Sequence, residues 1–176
     1  ARFSTRACGF YPSDFKNVYI SHLHGDHAGG LEWLAWSNYR KQKLNLYHPE
    51  LIGDQLQDYL WFLQHTNDGL ASPKDFFDFH PVSESFVWNE YKLELIRVPH
   101  IMCGEETLLY SHGLMIDDRV LITTDCCRLL DMSFYEKAEI IFHDCENKDF
   151  KTGVHCHIET LQELPELIKN KIVLVH

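Results

Sequence analysis

The sequence predicts a mixed α/β fold, and three observations carry that expectation. Short runs rich in β-branched and aromatic residues alternate with stretches whose apolar residues recur at helical spacing. The apolar runs repeatedly close on a histidine or an aspartate. At 176 residues and 45% hydrophobic content, the chain can bury roughly 70% of its unfolded surface, so a single domain over residues 1–176 is expected.

Taken in order, NVYIS (17–21) is the first β-rich run. It leads through HLHGDHAGG into a helical pattern over 29–41, where Leu31, Leu34 and Ala35 share a face and basic residues gather near the end. LNLYH (44–48) reads as a strand and PELIGDQLQDYLWFLQH (49–65) as an amphipathic helix. SPKDFFDFHPV is loop-like, with FFDFH as a strand inside it. YKLELIRVPH (91–100) alternates as a strand does, and TLLYSHGLMIDDRVLITTD (107–125) predicts a hairpin turning at Asp117 and Asp118. EIIFHDC (139–145) and KIVLVH (171–176) are further apolar runs with polar ends. Between them, IETLQELPELIKN (158–170) predicts a helix that Pro165 breaks or kinks. No repeat, low-complexity tract or linker interrupts this order.

A formal charge of −10 argues against a broad electrostatic surface for nucleic acid, although a bound cation would still attract a phosphate. No apolar run approaches the roughly 18 residues of a membrane helix, and the first residues lack a signal peptide's apolar core. A soluble, cytoplasmic protein is expected. Cys8, Cys103, Cys126, Cys127, Cys145 and Cys156 form no CxxC pair, and a reduced setting suits them.

The distribution of histidines and aspartates carries the chemistry. His22, His24, Asp26 and His27 crowd one strand-to-helix turn. Four such groups would repel or stay poorly satisfied without a cation. On an extended strand His22 and His24 point to the same side and reach one ion, while the turn carries Asp26 and His27 toward a second. Gly25 lets the turn close, and Gly29 and Gly30 let the backbone begin the helix without a side-chain clash. Imidazoles with carboxylates suit zinc, with manganese or iron as the other occupants. Downstream, His100, Asp125, His143, Asp144 and His176 close successive apolar runs, as the ligands of a site at the edge of a β core would.

HLHGDH resembles the HxHxDH signature of the metallo-β-lactamase superfamily, and His100, Asp125 and His176 resemble its remaining ligands in order. The resemblance runs through nearly the whole chain. It implies a four-layer αββα sandwich holding two zinc ions, with His22, His24 and His100 on the first, Asp26, His27 and His176 on the second, and Asp125 bridging. IFHDC followed by VHCHIET resembles the paired acidic and histidine motifs of the ribonuclease Z-like phosphodiesterases. That implies attack on phosphorus by a hydroxide shared between the metals, with Asp144 orienting a histidine that protonates the leaving oxygen. The i, i+2 spacing of His155 and His157 leaves open which histidine that is. Asp26, Asp144, His155 and His157 form the expected catalytic set.

The stretch 143–176 also resembles the anti-Pycsar cyclic-nucleotide phosphodiesterases. This implies a small phosphodiester substrate, a 3′,5′-cyclic nucleotide above all, and a homodimer. It implies the cytoplasm as the location, or the host cytoplasm and evasion of anti-phage defence for a phage-encoded chain. Transfer RNA is less favoured, because no long Gly/Pro-rich basic insertion resembles the arm of ribonuclease Z. Two departures accompany the resemblance. The signature begins as early as His22, with Ala7 where an Asp-Cys-Gly turn would place its acid, and the sequence stops on the ligand His176. An incomplete sandwich, lacking N-terminal strands and its C-terminal end, is therefore expected.

The alternatives are a ribonuclease Z-like tRNA 3′ endonuclease, a metallo-hydrolase of thioester, lactone or β-lactam bonds, and a non-enzymatic binding module. The last predicts lost ligands, and none of the seven is lost. Trp33, Trp36, Tyr59, Trp61 and Phe62 are read as core or dimer packing. Cys126 and Cys127 are read as buried thiols, and His48, His65, His80 and His112 as ordinary loop or strand-end histidines.

Overall fold

The structure, a computed structural model, describes residues 2–64 and 71–176, and the chain forms two units, Ala1–Ser83 and Glu84–His176. In the first unit a short helix, α1 (Arg2–Ala7), precedes β1 (Asn17–Tyr19). β1 pairs in parallel with β2 (Leu44–Pro49), and β2 in parallel with β3 (Phe77–Val82). Parallel neighbours require a crossover. Helices α2 (Gly25–Ala28) and α3 (Gly30–Asn38) supply the first crossover, and α4 (Gly53–Tyr59) and α5 (Pro73–Phe76) the second.

Strand alternation sorts this sheet into two faces. Leu44 and Leu46 are fully buried with Leu31, Ala35, Leu56, Leu60 and Phe76 in one apolar cluster, each large side chain contributing about 1.5–3 kcal/mol by leaving water. Asn45 between them points the other way. Its Nδ2 donates to Asn17 Oδ1 at 2.7 Å, its Oδ1 accepts from His80 Nε2 at 3.0 Å, and the Tyr47 and His80 rings stack at 4.7 Å.

Helix ends differ from the sequence expectation for local reasons. α3 stops at Asn38 because Asn38 Nδ2 turns back to the Leu34 and Pro12 carbonyls and Arg40 adopts a φ of 60°. The helix expected over 49–65 is α4 flanked by tighter 3₁₀ turns at Glu50–Ile52 and Trp61–Gln64. Leu56, Leu60 and Leu63, at the i, i+4, i+7 spacing of one helical face, are all buried. His65 lies outside the described residues.

The second unit is a six-stranded sheet in sequence order: β4 (Ser85–Trp88), β5 (Tyr91–Cys103), β6 (Glu106–Ile116), β7 (Val120–Ile122), β8 (Ile140–Asp144) and β9 (Ile172–Val175). β4 to β7 pair antiparallel, then β7, β8 and β9 run parallel. The expected turn at Asp117 and Asp118 is present, both residues having positive φ, as do Asn89 and Glu90 between β4 and β5. Short polar side chains are the ones that best tolerate this region. α6 (Met132–Lys137) is capped by Asp131, which accepts from Ser133 N, and leads from β7 to β8. α7 (Ile158–Gln162) and α8 (Glu166–Lys169) lead from β8 to β9, with Pro165 between them as the sequence break required. Ile96, Val98, Met115, Leu121, Tyr135 and Ile141 anchor the core of this unit. Among the described residues no helix is long and apolar enough to cross a membrane.

The β6–β7 contact depends on Gly113. A Cβ there would lie 2.6 Å from Ile122 O and 3.0 Å from Thr123 O, both backbone atoms. Gly113→Ala is expected to cost about 1–3 kcal/mol through this overpacking, read as a lower urea midpoint with an unchanged slope. An unchanged midpoint would mean that the two strands separate without cost.

Candidate active site

β1 ends at Tyr19, and the chain passes through buried Ile20 and Ser21 to buried His22, whose Nδ1 lies 3.0 Å from Ser21 Oγ. His24 occupies the N-cap position of α2 in extended backbone. The next turn folds His27 back, its backbone N–H donating to His24 O at 3.0 Å. The sequence suggests that His22 pairs with His24 while His27 diverges. In the structure the His22 ring is flanked by both, with centroids 4.8 Å from His24 and 4.2 Å from His27. Asp26 stands exposed on the turn, Oδ2 3.5 Å from His27 Nε2. Gly29 is sterically required, since a Cβ would meet Gly25 O at 2.3 Å. A Cβ at Gly25 would meet nothing within 4 Å, so that turn does not demand glycine on steric grounds.

The second unit gathers its own set. His100 is fully buried; its Nδ1 donates to the Val154 carbonyl at 3.1 Å, and its Nε2 lies 3.6 Å from Asp125 Oδ2. Asp144, 2% exposed, is shared by two histidines: Oδ2 accepts from His155 Nδ1 at 2.9 Å and Oδ1 from His176 Nδ1 at 3.0 Å. The His155 and His176 rings meet edge to face at 4.1 Å. One side-chain atom from each of Asp125, Asp144, His155 and His176 lies within 4.8 Å of the others.

These hydrogen bonds fix tautomers. Carbonyl and carboxylate oxygens only accept, so His100, His155 and His176 each carry the proton on Nδ1 and present Nε2. An imidazole whose far nitrogen is held by a carboxylate or a backbone carbonyl is how proteins prepare histidine as a metal ligand. His100 Nε2 beside the Asp125 carboxylate, both buried, is a donor pair that fits a divalent ion of the zinc type.

His157 is placed differently from His155. Its Nδ1 accepts from Glu159 N at 3.3 Å as the cap of α7, and its Nε2 donates to Lys148 O at 2.8 Å. Both ring nitrogens are committed to backbone, so of the two candidates His155 is the one bonded to Asp144. His143 faces the core. Its Nδ1 donates to Asp144 O at 2.7 Å, its Nε2 accepts from Tyr135 OH at 2.8 Å, and burial, the largest influence, pushes its pKa down. The thiols nearby are unpaired. Burial raises Cys126 and Cys127, and pushes Cys156 up to about 12, which makes them poor nucleophiles and poor ligands. His48 is buried with Nδ1 2.9 Å from Pro49 O, and His112 is buried in β6.

Several supporting groups escaped the sequence reading. Val154 contributes only its carbonyl, which has no side-chain signal. Ser111 Oγ donates to Asp125 O at 2.6 Å, and Thr123 Oγ1 accepts from Asp144 N at 3.0 Å. Ser and Thr do this in any fold, so nothing marks them beforehand.

Known proteins resemble this chain in sequence and in fold. The family model described as anti-Pycsar protein Apyc1 matches residues 1–176. The anti-Pycsar protein Apyc1 of Paenibacillus sp. strain J14 is 34% identical over 174 residues, covering 90% of this chain and 66% of that protein. That of Paenibacillus harenae is 30% identical over 175 residues, covering 90% and 67%. The chain thus spans about two thirds of the length of these relatives. Ribonuclease Z of Methanococcus maripaludis is 40% identical over 60 residues, covering 32% of this chain and 20% of that protein. Among solved structures, the metallo-β-lactamase fold protein YhfI of Bacillus subtilis superposes with a TM-score of 0.70 at 15% identity, over 99% of this chain and 69% of that one. Unliganded yeast PDE1 does so with a TM-score of 0.64 at 17% identity, over 92% and 56%. The fold is that of the metallo-β-lactamases.

The contrast between His155 and His157 is measurable as stability. His157→Ala removes a helix cap and is expected to cost about 0.5–2 kcal/mol. His155→Ala caps nothing but takes a partner from the buried Asp144 carboxylate, and is expected to cost about 1–3 kcal/mol. Thermal unfolding followed by circular dichroism checks both variants, and a His157→Ala melting temperature equal to that of the wild type would contradict the capping role.

Proposed function

Because the chain belongs to the anti-Pycsar protein Apyc1 family, we propose that it is a metal-dependent phosphodiesterase acting on a small phosphodiester, above all a 3′,5′-cyclic nucleotide. The Asp144–His155 pair, 2.9 Å between Oδ2 and Nδ1, is the observation that carries this reading. A buried carboxylate that orients an imidazole is the device for delivering a proton to a poor leaving group such as a ribose oxygen. Hydrolysis of a thioester, lactone or β-lactam gives that pair no evident task.

The proposed ligands are His22, His24 and His100 for one metal and Asp26, His27 and His176 for the other, with Asp125 common to both. When bound, such a metal pair supplies a water acidified toward neutral pH and positive charge against the phosphate oxygens. The rest of the chemistry falls to the chain. Asp144 holds His155 Nδ1–H and so aims Nε2 outward, from which a proton would pass to the departing oxygen as the P–O bond breaks. The same carboxylate orients His176 through Nδ1 at 3.0 Å, so one buried charge serves both the general acid and a ligand. His157 has no part in the proton transfer.

A tRNA-cleaving activity is the second reading, supported by the local identity with ribonuclease Z and weighed against by the net charge of −10. The first reading carries with it a homodimer with zinc, manganese or iron in its sites. It also carries a cytoplasmic setting, or that of the host for a phage-encoded chain.

The test is hydrolysis of 3′,5′-cyclic AMP and GMP beside bis-p-nitrophenyl phosphate by the zinc- or manganese-loaded chain. Turnover of the cyclic nucleotides is expected, abolished by Asp125→Ala and lowered about 10²–10⁴-fold by His155→Ala. Turnover of the generic ester alone would redirect the substrate to RNA or another phosphodiester. Inactivity on all three would overturn the phosphodiesterase reading in favour of the thioester or lactone class.

A further inference from the structure

Residues 147–156 form a loop between β8 and α7 that is tied down at several points. Its ends meet in a parallel bridge between Glu146 and His157, with Glu146 N donating to Cys156 O at 2.9 Å and Ile158 N to Glu146 O at 3.0 Å. His157 Nε2 holds the Lys148 carbonyl at 2.8 Å. The centre is held by a buried carboxylate. Glu146, 6% exposed, accepts from Thr152 N at 2.8 Å through Oε1 and from Thr152 Oγ1 at 2.8 Å through Oε2. Thr152 Oγ1 in turn accepts from Val154 N at 3.3 Å, while Gly153 turns the chain between them with a φ of 74°.

The two residues beyond Gly153 both reach into the candidate site. The Val154 carbonyl receives His100 Nδ1 at 3.1 Å, and His155 is the histidine seated on Asp144. A single peptide segment therefore sets the tautomer of one proposed ligand and presents the proposed general acid. A carboxylate accepting two short bonds from one residue is a charge-assisted, two-point contact, and it fixes direction as well as distance. Lys148 Nζ, 3.8 Å from Glu146 Oε2, adds a more distant cation.

We propose that Glu146 and Thr152 are a positioning pair whose contact holds the Val154–His155 segment so that His100 and His155 are oriented together. The proposal rests on the metal and general-acid roles given to those histidines under the proposed function, and it goes beyond them in joining the two through one clamp. Neither residue is one of the proposed metal ligands or the proposed general acid.

The test uses the full chain with Glu146→Ala, Thr152→Val, the double variant and Thr152→Ser. Zinc affinity is measured by competition with a chromophoric chelator, and kcat and KM are measured on whichever phosphodiester the wild type turns over. Each single variant is expected to lose about 10–100-fold in zinc affinity and in kcat, with KM little changed. The double variant should fall no further than the worse single one, because the two residues share one interaction. Thr152→Ser, which keeps the hydroxyl and the N–H, should retain wild-type values. Folded variants with a lower melting temperature but unchanged zinc affinity and kcat would overturn the proposal, leaving the clamp merely structural. Fully additive losses would overturn the pairing. Should the wild type turn over no phosphodiester, the proposed function fails, and the zinc titration alone decides: weakened binding in Glu146→Ala and Thr152→Val upholds the clamp, and undiminished binding ends it.

Discussion

The Asp144 carboxylate is the constraint on which the second unit's chemistry depends. Removing a charge from water is costly unless it is paired and hydrogen-bonded, and Asp144 meets that demand with Cys126 N and His155 Nδ1 on Oδ2 and His176 Nδ1 on Oδ1. Its own peptide is held as well, the N–H by Thr123 Oγ1 and the carbonyl by His143 Nδ1. Two histidines are thereby oriented by one fixed anion, His176 on Oδ1 and His155 on the oxygen that Cys126 N also holds.

Topology explains why these groups meet. β7, β8 and β9 are consecutive parallel strands, with Ile122 opposite Phe142 and Asp144 opposite Val175. Parallel neighbours bring their C-terminal ends to the same edge of the sheet. Asp125 follows β7, Asp144 ends β8 and His176 follows β9, so residues far apart in the chain become neighbours at that edge. His100 reaches the same unit's site from β5, close enough to Asp125 for a 3.6 Å approach. Rigid strands thus aim the side chains, while the loop of residues 147–156 adds His155.

In the first unit the same economy appears on a smaller scale. One parallel strand delivers the chain to a turn, and the helix beginning at Gly25 brings His27 back over His24. The close packing at Gly29, where any side chain would strike Gly25 O, explains the glycine there. The sequence gives both Gly25 and Gly29 a local reason, yet only Gly29 is dictated by contact.

Local sequence alone dictated the mixed α/β class, the strands from β5 onward, the turn at Asp117 and Asp118, the break at Pro165 and the set of histidines and aspartates that close the strands. These are legible because side-chain period, left-handed turn preference and the missing proline N–H act locally. It could not reveal β4 or α6, whose short patterns carry little periodicity, nor the 3₁₀ turns around α4, because Leu56, Leu60 and Leu63 keep an α-helical spacing through them. Above all it left His155 and His157 equivalent, two histidines separated by one residue. Tertiary structure alone separated them, because the start of α7 consumes both nitrogens of His157 with backbone groups while Asp144, brought close by β8, receives His155. A hydrogen-bond partner contributed by a distant strand or by a backbone carbonyl leaves no mark on the local sequence, and it is such partners that distinguish these two histidines.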